Sequence, residues 1–457
     1  MRYRRFRLFS VPLLLTLSAT IVLIAQTRAG SDAANHVVII SLDGFMASAM
    51  FDESVPLPTL RRLASQGAIA RGMRPVNPTV TWANHTSMVT GVTPAKHGVI
   101  FNGLLVRAPG VPPHVEPWRD RSEMVHAPTL YDVAHARGMT TAQVDWVAIW
   151  NAPTVTWEFR ERPDPQGAIA REMIGAGLVS QEVVENLAEK NIVFRDHVWT
   201  AAAAHIIREH RPHVMMFHLL TLDSVQHRYG PGTLAATSAM AHLDGQVAQI
   251  AMAVKQAGLA ARTTFVIVSD HGFKTVRRQI MPNAAFMKAG LLEVTEGKVT
   301  SAQVCLMSEG GTALVYLTVT DADGQLLARA RAALTGIEGI DTIIEPSDYG
   351  AYGLPTPQAS DQMGALLLTA KDGYSFSTAA TGEVVADAAE GSLGAHGYLS
   401  TDPELQALFI ASGRGIKAGV TIDSMQTIDL APTMARLLGL ELKDVDGRVL
   451  SEILTGL

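Results

Sequence analysis

Three apolar runs stand out along the chain: Val37 to Leu42, Val214 to Leu220 and Thr264 to Ser269. Each has the length of one strand and almost no polar interruption, the pattern of strands covered on both faces in a parallel sheet. Between them, apolar positions recur with helical spacing over Pro58–Gln66, Thr129–Arg137, Val198–Glu209 and Leu234–Gln256. Strands alternating with helices predict an α/β fold, a doubly wound and mostly parallel sheet with helices on both faces. Further strands are expected over Gly364–Thr369 and Leu405–Ala411. A C-terminal helix is expected over Asp429–Leu438, opening at an acidic cap with Pro432 in its first turn.

The pattern changes after the third run. From 276 to about 360 the segments are shorter and alternating, as in Thr312–Thr318, among scattered Gly, Pro and Asp. This reads as a smaller cap, residues 276–360, inserted between a first core part (33–275) and a second (361–457). No repeat or low-complexity tract interrupts the plan.

The first 29 residues follow a different pattern again. Arg2, Arg4, Arg5 and Arg7 precede an apolar run from Val11 to Ala25, and Thr27-Arg28-Ala29 puts small residues at −3 and −1 of a cleavage point. This is the layout of a signal peptide and predicts a periplasmic or secreted protein. The run is short for a membrane span, which disfavours the rival, an uncleaved anchor. No span is expected after cleavage.

Composition narrows the function. With 37 basic and 43 acidic residues the formal charge is −6. Residues 1–29 hold five basic and no acidic residues, so the exported chain carries −11. Such a balance argues against stable nucleic-acid binding. The single cysteine, Cys305, sits in an apolar stretch and reads as a buried thiol. One cysteine allows neither an intrachain disulfide nor a thiolate zinc cage, but fifteen histidines are available as ligands.

The candidate chemistry gathers where the strong strands end. Asp43, Asp223 and Asp270 follow the three apolar runs, and ligands of open α/β sheets bind outside the carboxyl ends of strands. Asp223 and His227 are four apart and share a helix face. Asp270 and His271 are adjacent and would diverge unless the chain bends, which Gly272 permits. Mixed carboxylate and imidazole ligands suit zinc or a similar transition metal. Two Asp/His pairs plus Asp43 suggest two metals, which about 3.5–4 Å apart are a common device for splitting phosphate esters. Capping aspartates with packed histidines are the competing explanation.

A longer pattern adds specificity. Pro78-Thr79-Val80-Thr81-Trp82-Ala83-Asn84-His85 continues through Thr90-Gly91 to His97-Gly98-Val99-Ile100-Phe101-Asn102. It resembles the nucleophile segment of the nucleotide pyrophosphatase/phosphodiesterase family of the alkaline phosphatase superfamily. Asp43-Gly44, Asp223 to Pro231, Ser269-Asp270-His271-Gly272 and Gly394 to Tyr398 match other landmarks of that family, in order. The resemblance implies an alkaline-phosphatase-like core. It implies Thr81 as nucleophile; spacing alone leaves Thr79 and Thr86 equally open. It further implies two Zn²⁺, one on Asp223, His227 and His396, the other on Asp43, Asp270, His271 and Thr81. Asn102 resembles the amide that binds a phosphoryl oxygen. The implied reaction cleaves a small nucleotide-type diester or pyrophosphate through a phosphothreonine, with Zn²⁺ favouring the threonine alkoxide. A helix opening near Thr81 would add amides suited to a phosphate.

The chain departs from the family in two places. Trp82-Ala83 stands where Phe-Pro is usual, and Val144 to Trp150 lacks the usual Pro-Gly. Trp82 is a candidate base-stacking residue or a packed one. The rival activities are another hydrolase of the superfamily, such as a phosphonoacetate hydrolase or phosphomonoesterase, and a non-catalytic zinc-fold ligand-binding protein. His85 and His97 are expected to be structural. His114, His126, His135, His205, His210 and His213 are expected to be solvated or packed.

Overall fold

The computed structural model describes residues 35–456, and the expected signal peptide lies outside the described residues. Eight strands form the central sheet: β1 His36–Leu42, β2 Gly67–Ala70, β3 Thr141–Val144, β4 Trp157–Phe159, β5 Val214–Leu219, β6 Thr263–Val268, β7 Phe409–Gly413 and β8 Val420–Ile422. Their order is β8-β2-β7-β6-β1-β5-β3-β4. The three strongest apolar runs therefore lie side by side at the centre, β1 between β6 and β5, all parallel. Only β7 runs antiparallel to its neighbours, β6 and β2.

Alternation along β1 explains why the central runs lack polar positions. Val38, Ile40 and Leu42 face one apolar layer, built with helices α1 Ile192–His210 and α3 Leu234–Gln256. Val37 and Ile39 face the opposite layer, built with helices Thr81–Thr90 and Leu430–Leu437. Both faces are covered, so every β1 position is buried. The short helix α2 Thr221–Tyr229 follows β5 almost directly.

The C-terminal helix starts at Leu430 as expected, but Asp429 does not cap it with its side chain. Its carboxylate instead accepts from the Gln426 and Arg448 N–H groups, tying the preceding turn and the C-terminal segment together.

A second, four-stranded sheet, ordered Val304–Ser308, Thr312–Leu317, Leu366–Ala370, Ile340–Ile344, has its own apolar cluster. The strand expected over 364–369 is present, but it is hydrogen-bonded to Thr312–Leu317 rather than to the core. The second sheet thus runs past residue 360, the expected end of the cap. A buried apolar strand carries no label for the sheet it joins. The described residues from His36 onward form one compact unit, with Ile100, Phe101 and Leu105 packed into the second cluster.

Candidate active site

Asp43 follows β1, Asp270 and His271 follow β6, and Asp223 and His227 ride on α2 beyond β5. The carboxyl ends of three adjacent parallel strands bring them together. Asp223 lies in the first turn of α2 rather than at a strand end, and His227 Nε2 comes within 3.4 Å of its Oδ1. The adjacent Asp270 and His271 converge, with His271 Nε2 3.2 Å from Asp270 Oδ2 and 3.4 Å from Asp43 Oδ1. Gly272 matters here, though through space rather than backbone freedom. A Cβ on it would meet the Glu404 carbonyl oxygen at 2.0 Å. His396 arrives from the far end of the sequence, its Nε2 3.8 Å from Asp223 Oδ1 and its ring stacked on His271 at 3.8 Å. The next residue, Gly397, has φ +80° and lies so close to the Glu309 carbonyl that no side chain fits.

Two overlapping groups result. Asp43, Asp270 and His271 bring ligand atoms within 4.8 Å of one another, and so do Asp223, His271 and His396. His271 is common to both, while His227 approaches the second group through Asp223.

The histidine tautomers are set by their outer nitrogens. His271 Nδ1 faces the Gly272 carbonyl at 3.1 Å, His227 Nδ1 the Gly394 carbonyl at 3.1 Å, and His396 Nδ1 the Thr79 carbonyl at 2.9 Å. A carbonyl only accepts, so each Nδ1 donates and each Nε2 turns a lone pair inward. Asp43 Oδ1, Asp223 Oδ1, Asp270 Oδ2 and His271 Nε2 are buried without a hydrogen-bond partner. Unpaired buried anions are costly unless a cation or donor meets them. Burial, with Asp270 and Asp223 nearby, pushes the Asp43 carboxyl well above its usual range, and burial raises Asp223 too. Burial lowers His271 to about 3 and pulls His396 well down, so both imidazoles stay neutral. The donor set therefore fits divalent transition metals.

Thr81 opens the helix Thr81–Thr90, with Val80 as N-cap. His85, one turn on, packs that helix beside the site: its Nδ1 lies 2.8 Å from the Thr81 carbonyl and 3.8 Å from Asp270 Oδ2. The Trp82 N–H donates to Asn102 Oδ1 at 3.0 Å. Only the amide oxygen can accept that bond, so the Asn102 NH₂ is left to donate elsewhere. Trp82 lines a pocket with Trp118, Trp146, Trp150, Asp145 and Arg160. The Val144–Trp150 segment thus supplies aromatic wall to this pocket without its Pro-Gly. His97 packs internally, its Nε2 3.0 Å from Ser87 Oγ and its Nδ1 accepting from the Val99 N–H.

A third ligand-type group, Glu172 with His205 and His210, lies at the end of α1 that leads into β5. Both imidazole Nε2 atoms are 2.7–2.8 Å from Glu172 Oε2, the spacing of hydrogen bonds rather than of metal ligands.

Two residues that sequence reasoning passed over complete the site. His218, inside β5, has Nε2 3.0 Å from Asp43 Oδ2 and Nδ1 3.1 Å from the Asp145 carbonyl. Burial opposes its charge, but Asp145 and Asp43 lift its pKa well above the usual value. Asp145 is itself pushed up to about 7, by burial first. The available signal was a lone histidine in an otherwise apolar buried strand, which must find a partner.

A profile of the type I phosphodiesterase / nucleotide pyrophosphatase family matches residues 37–399. The chain belongs to that family. Membership places it among hydrolases of phosphodiester bonds. Human ectonucleotide pyrophosphatase/phosphodiesterase family member 7 is 22% identical over 431 residues, 91% of this chain and 82% of that protein. Human member 1 is 24% identical over 238 residues, 52% of this chain but only 23% of that longer protein. A bovine bis(5'-adenosyl)-triphosphatase is 20% identical over 92% of this chain and 82% of its own length. Among solved structures, murine ectonucleotide pyrophosphatase/phosphodiesterase 5 superposes with a TM-score of 0.69 at 16% identity. It covers 92% of this chain and 100% of its own. An inactive variant of that murine protein, in complex with AMP, superposes with a TM-score of 0.68. These likenesses share the fold described above.

Proposed function

We propose that the protein is an exported phosphodiesterase that cleaves nucleotide-type diester or pyrophosphate bonds through Thr81. The observation that carries this reading is the set of buried, partnerless ligand atoms on Asp43, Asp223, Asp270 and His271, beside which His85 sets the helix that Thr81 opens. Asp43, Asp270 and His271, with Thr81, would hold one Zn²⁺; Asp223, His227 and His396 would hold the other. When bound, such ions favour ionised hydroxyls and steady negative charge developing on phosphoryl oxygens. The remaining work falls to the chain.

Thr81 Oγ attacks phosphorus, its bond to phosphorus forms, and the bond to the leaving oxygen breaks. Water then attacks the phosphothreonine, releasing the monophosphate and restoring the hydroxyl. The Asn102 amide, oriented by the Trp82 N–H, donates to a non-bridging oxygen. N–H groups at the start of the helix Thr81–Thr90 favour the phosphate there. Trp82 and the neighbouring tryptophans offer apolar faces to the organic part of the substrate. AMP, held by the murine relative, is the product class this reading expects. The arginine-rich, then apolar, first 29 residues support export. No helix among the described residues is long and apolar enough to cross a membrane.

The test is a panel of p-nitrophenyl thymidine monophosphate, p-nitrophenyl phosphate and phosphonoacetate. The thymidine diester should be turned over fastest, and Thr81→Ala should lose on the order of 10³-fold or more in kcat/KM. A diester activity that survives Thr81→Ala rules out the nucleophile. Preference for phosphonoacetate or the monoester rules out the substrate class.

A further inference from the structure

His218 is the polar side chain among the apolar residues of β5, and every residue of that strand is buried. Its register partner on β1 is Ser41, two residues before Asp43. Alternation turns it to the same side as Val214 and Met216, the side on which the helix Thr81–Thr90 packs. Its ring meets His85 of that helix edge-on at 4.4 Å. Both ring nitrogens face acceptors. Nδ1 must donate to the Asp145 carbonyl, and Nε2 faces Asp43 Oδ2 at 3.0 Å.

The consequence falls on Asp43. Its Oδ2 is taken by His218, while its Oδ1 has no partner and faces His271 Nε2 at 3.4 Å. One oxygen is anchored and the other is presented. Asp145, the outer anchor, also lines the tryptophan pocket and has φ +54°, a backbone conformation uncommon outside glycine. A buried bridge therefore runs from the wall of that pocket, through His218, to a proposed metal ligand.

We infer that His218 is a positioning residue: anchored by Asp145, it holds Asp43 so that only Oδ1 is offered to the metal at the Asp43–Asp270–His271 site. This rests on the two-metal reading proposed above. It goes further in assigning to β5 a group that orients a ligand without being one. Outer partners of this kind typically govern metal affinity by about 10–100-fold.

Two variants of similar polarity separate positioning from simple core packing. In His218→Gln the amide nitrogen reaches about as far as Nε2 and keeps a donor for Asp43. In His218→Asn it reaches only as far as Nδ1, keeping the contact with Asp145 and losing Asp43. His218→Phe removes both donors. Zinc affinity of the purified full chain, measured by competition with a chelator of known Kd, is the readout. His218→Asn and His218→Phe should weaken one of the two zinc ions by about 10–100-fold and leave the other unchanged. His218→Gln should recover most of the loss. Excess zinc should restore diesterase kcat in all three. Equal affinities for the Asn and Gln variants, or wild-type affinity in a folded Phe variant, overturn the inference while leaving the two-metal reading intact. A wild-type chain that binds no transition metal overturns both.

Discussion

Cys305 and His218 are both buried on strands, and burial acts on them in opposite ways. The Cys305 thiol, on the strand Val304–Ser308, is pushed up to about 12 by burial. A thiol needs no partner to stay neutral, so it behaves as a small apolar residue. The expected outcome is no reaction with a thiol reagent at pH 8 in the native protein and one equivalent after denaturation. Rapid native labelling would contradict this assignment. The apolar neighbours of Cys305 made this legible in the sequence. His218 sits in an equally apolar run, but its role depends on Asp43 and Asp145, which come from other strands. Nothing local to the run names those partners.

At the scale of elements, α2 carries both Asp223 and His227, so its placement fixes part of the site. Its N-terminus is held from outside. Asp196, on α1, accepts from the Leu220 N–H at 3.0 Å and the Thr221 N–H at 2.9 Å. A buried carboxylate on helix N-terminal amides satisfies donors that would otherwise be orphaned and complements the helix dipole. Asp196→Ala leaves both donors buried and should cost about 1–3 kcal/mol of stability. It should also weaken zinc binding at the Asp223 site, because the helix loses its anchor. Denaturant unfolding together with chelator competition checks this. Unchanged zinc affinity in a destabilised variant would limit Asp196 to the fold. This contact spans most of α1, a loop and β5, and no sequence period carries it. The i, i+4 pairing of Asp223 with His227, by contrast, was readable from helical geometry alone.

For the whole molecule, the proposed ions join segments from β1, β6, α2 and the loop carrying His396, so they should act as cross-links of the native state. Each ion present at about 100 times its Kd adds about 2.7 kcal/mol through linkage. Chelation should lower Tm, and zinc should restore it, while calcium or magnesium should restore much less, because imidazole ligands disfavour them. A Tm indifferent to chelator in zinc-free buffer would count against ions being part of the fold. The acidic overall balance gives no long-range attraction to an anionic substrate. In the proposed reaction that attraction is local, from the ions and the helix that Thr81 opens.

The sequence alone determined the strand–helix alternation, the pairing of Asp223 with His227, and the ordered motifs around Thr81, Asp270 and His396. The first two follow from periodicity and helical spacing, whereas the motifs around Thr81, Asp270 and His396 were legible through their resemblance to a known family. The tertiary structure decided which sheet the strand Leu366–Ala370 joins and why Gly272 must lack a side chain. It also decided that His271 stands between two ligand groups and that His218 holds Asp43. Each of these depends on groups distant in sequence brought within hydrogen-bonding or coordination distance, and only the packing of parallel strands sets that distance.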